Sequence, residues 1–352
     1  MKKRLCILFL IPLLLFSCGK EKEPFTHFDV GNGWLQAVEG ETEQIYFASI
    51  EHRLCIWEDE CVTVLTENAW NPVYGDGQLY FFSGKDLQQY DPENNQKNTI
   101  YTLNEDENYS DIWYYNGKLY LMMPPYFNTA VRQINPATYT AADIPLSVNS
   151  TPEDMFYPFG VTNDELYGID CADKQFYAIN YTNGTKRSAL RFSQIKGIRD
   201  DKLVTYIEED QFQKPVLYDP NTETYQFMTD LPKIEENKEY SILAVTQDAI
   251  YLRIDNSLYT YRNGKMEKAL NFGKGIYEYR SYDLAGDTLL IACVGVRKDD
   301  TIAKEFIDLT TEEDLDSQRG NTTITICAVK PDGQVYILLK EKQEIWCVNS
   351  YG

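Results

Sequence analysis

The sequence predicts an all-β fold of repeated four-stranded units, and three observations predict it. A Gly-containing turn followed by an aromatic strand recurs, as DGQLYFF at 76, NGKLYLM at 116 and DGQVYIL at 332. The first position of such a strand falls at Ile45, Leu79, Leu119, Leu166, Leu203, Ile250, Leu289 and Val335, about 41 residues apart on average. Hardly any stretch has a helical period, while Tyr (27) and Phe (16) are abundant, as suits strands.

Within a unit the elements keep a fixed order. The opening turn feeds the first apolar strand, because Asn-Gly and Asp-Gly accept positive φ. Eight to thirteen residues beyond that strand's first position comes another: LCIW, LQQY, VRQI, FYAI, VLY, LYTY and EIWCV, with the seventh unit blurred near Glu305 to Ile307. A polar turn follows, as DPEN at 91, NPAT at 135, TNGT at 182, DPNT at 219 and RNGK at 262. A further strand closes the unit, as in NTIYTL, AADIPL and KRSAL. One such sheet cannot bury both of its faces, whereas radial stacking buries Leu, Ile, Tyr and Phe between neighbours. The expected architecture is therefore a β-propeller of about eight four-stranded blades. Seven blades remain possible if the irregular unit near 289–322 is not a full blade.

Closure follows from the two ends. The last unit stops after Trp346 to Asn349 without a fourth strand, and FTHFDV at 25–30 is a spare strand that completes it, removing an open edge. WLQAV then starts blade one. On this closure the chain before residue 25 leaves on the rim of short turns, and the longer loops point away from any anchor.

The stretch before the repeats reads as a processing signal. Lys2, Lys3 and Arg4 precede the apolar run LCILFLIPLLLF, which is short for a membrane span. Leu15-Phe16-Ser17-Cys18 resembles the bacterial lipobox, although Phe16 stands where a small residue is typical. The resemblance implies cleavage before Cys18 and a thioether-linked lipid on it. The expected organisation is a lipoprotein signal peptide at 1–17, a lipidated tether at 18–24 and one propeller domain at 25–352. The protein would then sit on a membrane by its lipid, on the extracytoplasmic side.

Net charge is −21, and three cations leave with the signal. Such a surface repels nucleic acid and anionic headgroups. Six cysteines remain after Cys6 and Cys18, with no CxxC and only His27 and His52 beside them, so neither a metal site nor a cofactor is expected. Cys293, Cys327 and Cys347 lie in apolar strand patterns and read as small core residues. Whether Cys55 and Cys61 close a hairpin loop by a disulfide is left open. The stretch TTEEDLDSQRG at 310–320 lacks calcium-loop spacing and reads as solvated surface.

The phrases DGxLY and YDPxT resemble the Tyr-rich repeats of bacterial surface lipoproteins with TolB-like or quinoprotein-like propellers. That resemblance implies a fold and no functional residue. The connections TENAWNP, NEDENYSD, MPPYFNT, NSTPEDMFYPF, EEDQFQK and DLPKIEENKEY are longer and irregular, and they share one rim. They carry Trp70, Tyr126, Phe127, Phe156, Tyr157 and Phe212, interspersed with Glu153, Asp154, Glu208, Glu209 and Asp210. Aromatic faces beside carboxylates suit a glycan or a protein partner, and the alternative is that these rings cap the blade core. Two functions are compatible with this pattern. One is a non-catalytic binding or scaffold module with no catalytic residue; the other is a glycan-active hydrolase or lyase using loop carboxylates. Oligomeric state is not encoded in any feature of the sequence.

Overall fold

The computed structural model describes residues 35–41, 43–49, 51–109, 111–123, 130–145, 156–161, 165–170, 173, 175–181, 184–209, 212–220, 222–235, 237–271, 281–296 and 322–342. Every regular element among them is a β-strand, and the 28 strands fall into seven antiparallel groups of four consecutive strands. The blades span residues 36–66, 69–102, 111–145, 156–188, 193–227, 240–271 and 281–342. First strands touch between blades 1 and 2, 2 and 3, 4 and 5, 5 and 6, and 7 and 1, which makes the first strands the inner ring, and fourth strands lie outermost. Blades 5 and 6 are further joined by a parallel bridge between Gly197 and Val245.

Burial follows this order. The second strand of blade 2, Gln78–Ser83, is buried through Leu79, Tyr80, Phe81 and Phe82. Its outermost strand, Gln96–Thr102, exposes the first four residues, and Thr224–Phe227 of blade 5 is exposed throughout. Polar outer edges discourage pairing with foreign strands.

Turn chemistry recurs with the repeat. Asp76-Gly77 and Asn116-Gly117 join first to second strands, and Asn263-Gly264 joins third to fourth, with both residues of each pair at φ between 49° and 75°. This is the turn that matches hairpin twist. In the Asx-Pro turns Asp91 Oδ1 accepts from the amides of Glu93 and Asn94, and Asn135 Oδ1 from those of Ala137 and Thr138. Asn95, Tyr139 and Glu223 then take the same place at φ 51°, 58° and 54°. All these hairpins lie on one rim.

The ring closes by packing, and the core is partitioned accordingly. Seven hydrophobic clusters occupy the seven seams, each centred on the same second-strand position. Tyr46 lies between blades 1 and 2, Tyr80 between 2 and 3, Tyr120 between 3 and 4, and Tyr167 between 4 and 5. Val204, Tyr251 and Leu290 hold the seams 5–6, 6–7 and 7–1. An open row of seven blades has one seam fewer, so the cluster joining Leu290, Ile324 and Ile326 to Leu35, Phe47 and Trp57 is the closure. Each buried Leu- or Phe-sized side chain stabilises by about 1.5–3 kcal/mol. Hydroxyls add direction: Tyr251 donates toward the carbonyl oxygens of Asp287 (2.6 Å) and Val329 (3.0 Å), tying blade 6 to blade 7.

Among the described residues the blade count is seven, the smaller of the two numbers the sequence allows. The eighth unit came from DGQVYIL, which forms the hairpin between the third and fourth strands of blade 7, Thr322–Val329 and Val335–Lys342. Asp332-Gly333 thus turns one blade's outer hairpin with only Gly333 at positive φ, whereas Asp76-Gly77 turns another's inner one with both residues there. The outer place in the last blade, expected for residues 25–30, is filled by Val335–Lys342, and residues 25–34 lie outside the described residues. Leu35 enters the first inner strand on the rim of longer connections, and Lys342 ends on that rim too. The expected exit on the short-turn rim therefore loses its basis.

The seam between blades 7 and 1 contains a buried acid. Glu341 is 2% exposed; its Oε1 accepts from Ser49 Oγ at 2.6 Å and lies 3.7 Å from an Arg53 nitrogen. Oε2 has no hydrogen-bond partner among the described residues. Burial raises the carboxyl above its ordinary value of 4.5, partly opposed by the Ser49 hydroxyl and the Arg53 charge. A raised acid keeps its proton in the folded state where the unfolded chain has lost it. Stability at this seam therefore falls as pH rises from 4.5 through the raised value. We expect Glu341→Gln to unfold at higher urea than the parent at neutral pH, by about 1 kcal/mol, the scale set by one buried unpaired polar group. It should also lose that part of the pH dependence. A variant less stable than the parent at pH 7 would make the charged carboxylate a net asset.

Candidate functional site

The structure gives two of the sequence-selected aromatics core positions in different blades. Trp70 lies on the first strand of blade 2, Ala69–Gly75, half-buried and edge-on to His52 at 5.5 Å. Its cluster includes Phe82 and Tyr109. Phe156 heads the first strand of blade 4 and is 3% exposed, packed with Trp113, Tyr120 and Tyr181. Tyr157 follows it in the same strand opposite Ile169, and Phe212 opens the third strand of blade 5 opposite Glu209. The side chains of Tyr157 and Phe212, and all of Tyr126, Phe127 and Cys18, lie outside the described residues. Trp70 and Phe156 thus cap the core, and they are not brought together.

Cysteines follow strand register. Cys55 lies opposite Val64 and is buried, with burial pushing its thiol up to about 12, while Cys61 lies opposite Glu58 and is exposed. Both are free thiols, as is Cys293, which is buried with Cys327 in the seam between blades 6 and 7.

A different group stands out on the inner ring. The first strand of blade 5, Ser193–Arg199, carries an irregularity in its pairing between Ser193 and Gly197. Gln194 there has φ 54° and Gly197 has φ 140°. Gly197 is required because a Cβ would lie 1.8 Å from the carbonyl oxygen of Val245. The close approach welds blade 5 to blade 6, and the bulge re-aims the side chain between them. That side chain is Lys196, 6% exposed, whose Nζ donates to Tyr282 Oη at 3.2 Å. Tyr282 is on the first strand of blade 7, Ser281–Ala285. Blade 6 separates these blades round the ring, so the contact is made where their inner strands face the axis.

Electrostatics set Lys196 apart. Burial lowers its amine to about 8, and no neighbouring charge among the described residues contributes. Three arginines have carboxylate partners. Arg199 donates to the carbonyls of Thr246 and Ala249 and pairs with Asp230 at 2.6 Å, clamping blade 6's turn. Arg132 pairs with Asp143 and Glu107, and Arg187 with Glu165. Ser281 and Asp283 are engaged in closure, accepting from the amides of Leu35 and Ala37. Among the described residues Lys196 meets a phenol and no carboxylate, in a chain of net charge −21. No cluster of metal-ligating side chains occurs among the described residues. Sequence reasoning missed Lys196; its one local sign is a lysine interrupting the apolar phrase SQIKGIR before glycine.

Comparison with known proteins assigns no family. No protein-family model and no curated protein matches the chain. Among solved structures it is similar to oligogalacturonate lyase from Vibrio parahaemolyticus, at 11% identity over 77% of this chain and 88% of that one, with a TM-score of 0.49. It is similar to the β-propeller domain of the trilobed protease from Pyrococcus furiosus, which has an open velcro topology (12% identity, 89% and 98% covered, TM-score 0.49). It is also similar to TolB from Acinetobacter baumannii, spanning 64% of that protein from 89% of this chain at 10% identity and a TM-score of 0.37. All three TM-scores lie below 0.5, and these likenesses assign neither a family nor an activity.

Proposed function

We propose that this chain is a lipid-anchored, extracytoplasmic propeller that binds a protein or glycan without catalysis. The observation that carries the binding reading is the difference between the two rims. Hairpins on one rim are closed by short, repeated turns such as Asp76-Gly77, Asp200-Asp201 and Asn263-Gly264. On the other rim the blades connect through irregular stretches, among them 103–109, 189–192 and 228–239, and Tyr240 stands there 53% exposed. Variable connections on a rigid scaffold are where recognition is built. The anchor reading is supported by the basic start, the apolar run and the lipobox-like Leu15-Phe16-Ser17-Cys18.

The anchor is tested by Cys18→Ser. The variant is expected to leave the membrane fraction and lose palmitate labelling; a variant that fractionates and labels like the parent overturns the tether. The binding reading is tested with the detergent-solubilised full chain on a glycan array and in pulldowns from envelope extracts. Turnover of any glycan, abolished by Glu208→Ala or Glu209→Ala, would replace binding by catalysis.

A further inference from the structure

We propose that Lys196 is the seat of a small monocarboxylate ligand, held between the inner strands of blades 5 and 7. The inference is independent of the lipid anchor and of the loop rim. An ammonium removed from water without a counter-charge is costly, and proteins ordinarily pair it or place it at the surface. Lys196 is more than nine-tenths buried, and its one hydrogen-bond acceptor among the described residues is the neutral Tyr282 phenol. The bulge before Gly197 and the weld to Val245 hold the lysine in this place rather than at the rim. Tyr282 fixes the amine from the far side of blade 6. An entering carboxylate supplies the missing charge and completes the ammonium's hydrogen bonds.

A singly charged ligand fits best. One ammonium neutralises one carboxylate, whereas a dianion would leave a buried excess of negative charge in a chain already at −21. Binding is also linked to a proton, because the ammonium attracts the ligand and the free amine does not. The titratable residues on the flanking strands are Arg199, Lys202, Tyr206, Glu208, Glu209, Tyr240, Tyr282 and Asp283, of which the side chains of Glu208 and Glu209 lie outside the described residues. Arg199 and Asp283 are engaged as described, burial pushes Tyr206 up to about 12, and none of the described side chains contributes to the lowering of Lys196.

The test uses the detergent-solubilised full chain with acetate as probe and chloride at equal ionic strength as control. Acetate is expected to raise the thermal midpoint of the parent and to leave that of Lys196→Met unchanged. On the parent alone, acetate affinity by calorimetry should weaken by up to about tenfold per pH unit above about 8. With ¹³C-labelled lysine, acetate should move the Lys196 titration upward. No rise with acetate, an equal rise in Lys196→Met, or affinity indifferent to pH between 7 and 10 would overturn the site. Sulfate or phosphate binding more tightly than acetate would overturn the monocarboxylate assignment. The pH dependence and the labelled titration need only the parent, so they decide the matter even if Lys196→Met fails to fold.

Discussion

Gly197→Ala is expected to destabilise the ring by about 3 kcal/mol or more, measured as a shift of the urea midpoint at unchanged slope. Two costs combine at this position. The backbone sits at φ 140°, a region that side-chain-bearing residues avoid. The new Cβ would also lie 1.8 Å from the Val245 oxygen and 2.9 Å from its carbon, and these are backbone atoms that no rotamer change moves aside. Relief requires parting blade 5 from blade 6 at the parallel bridge, which also displaces the neighbouring Lys196. Gly117→Ala is the control. It too has positive φ, 75°, yet nothing lies within 4 Å of its Cβ position. That substitution should cost only about 1–2 kcal/mol, the penalty of the left-handed conformation. Equal losses at the two glycines would show that the weld is not a constraint.

Much of the ring was legible because its signals are local. A turn that needs positive φ at two successive residues leaves Asp, Asn and Gly in the sequence, and so does an Asx-Pro corner. Spacing then reveals the blade, and a tyrosine such as Tyr80 marks the seam. Closure was less legible. Asp332-Gly333 belongs to an outer hairpin, where Gly333 alone has positive φ (82°), and Asp76-Gly77 to an inner one, where both residues do, so two different turns write the same dipeptide. The seams also tolerate replacement, since Val204 and Leu290 fill the place that tyrosine takes in five blades. The aromatic residues of the connections carry an equally ambiguous signal. Trp70 and Phe156 begin inner strands, where a large ring at a strand end covers the core as readily as it meets a ligand. Lys196 was invisible because its neighbour Tyr282 is 86 residues away and two blades on. No local pattern encodes a contact across the axis.

Trp113→Ala is expected to cost about 3–5 kcal/mol, the range for removing a large buried aromatic. Trp113 is fully buried on the first strand of blade 3, stacked on Tyr120 at 5.7 Å and edge-on to Tyr181 at 6.0 Å. Tyr120 and Tyr181 meet each other at 5.0 Å, so the indole completes a three-ring cluster bridging blades 3 and 4. Its Nε1 has no hydrogen-bond partner among the described residues. Trp113→Phe keeps an aromatic ring while removing an unpaired donor, and should lose far less than the alanine variant. The ring makes the spread of the damage informative. In a linear stack of repeats a weakened interface frees its neighbours and leaves distant ones intact. In a closed ring, seam 3–4 cannot open without straining seam 7–1, where Leu35 and Ala37 bond to Ser281 and Asp283. Hydrogen exchange of Trp113→Ala should therefore show lowered protection in blades 1 and 7 as well as in 3 and 4. Loss of protection confined to blades 3 and 4 would mean that the seams act independently and that closure carries no cooperative stability.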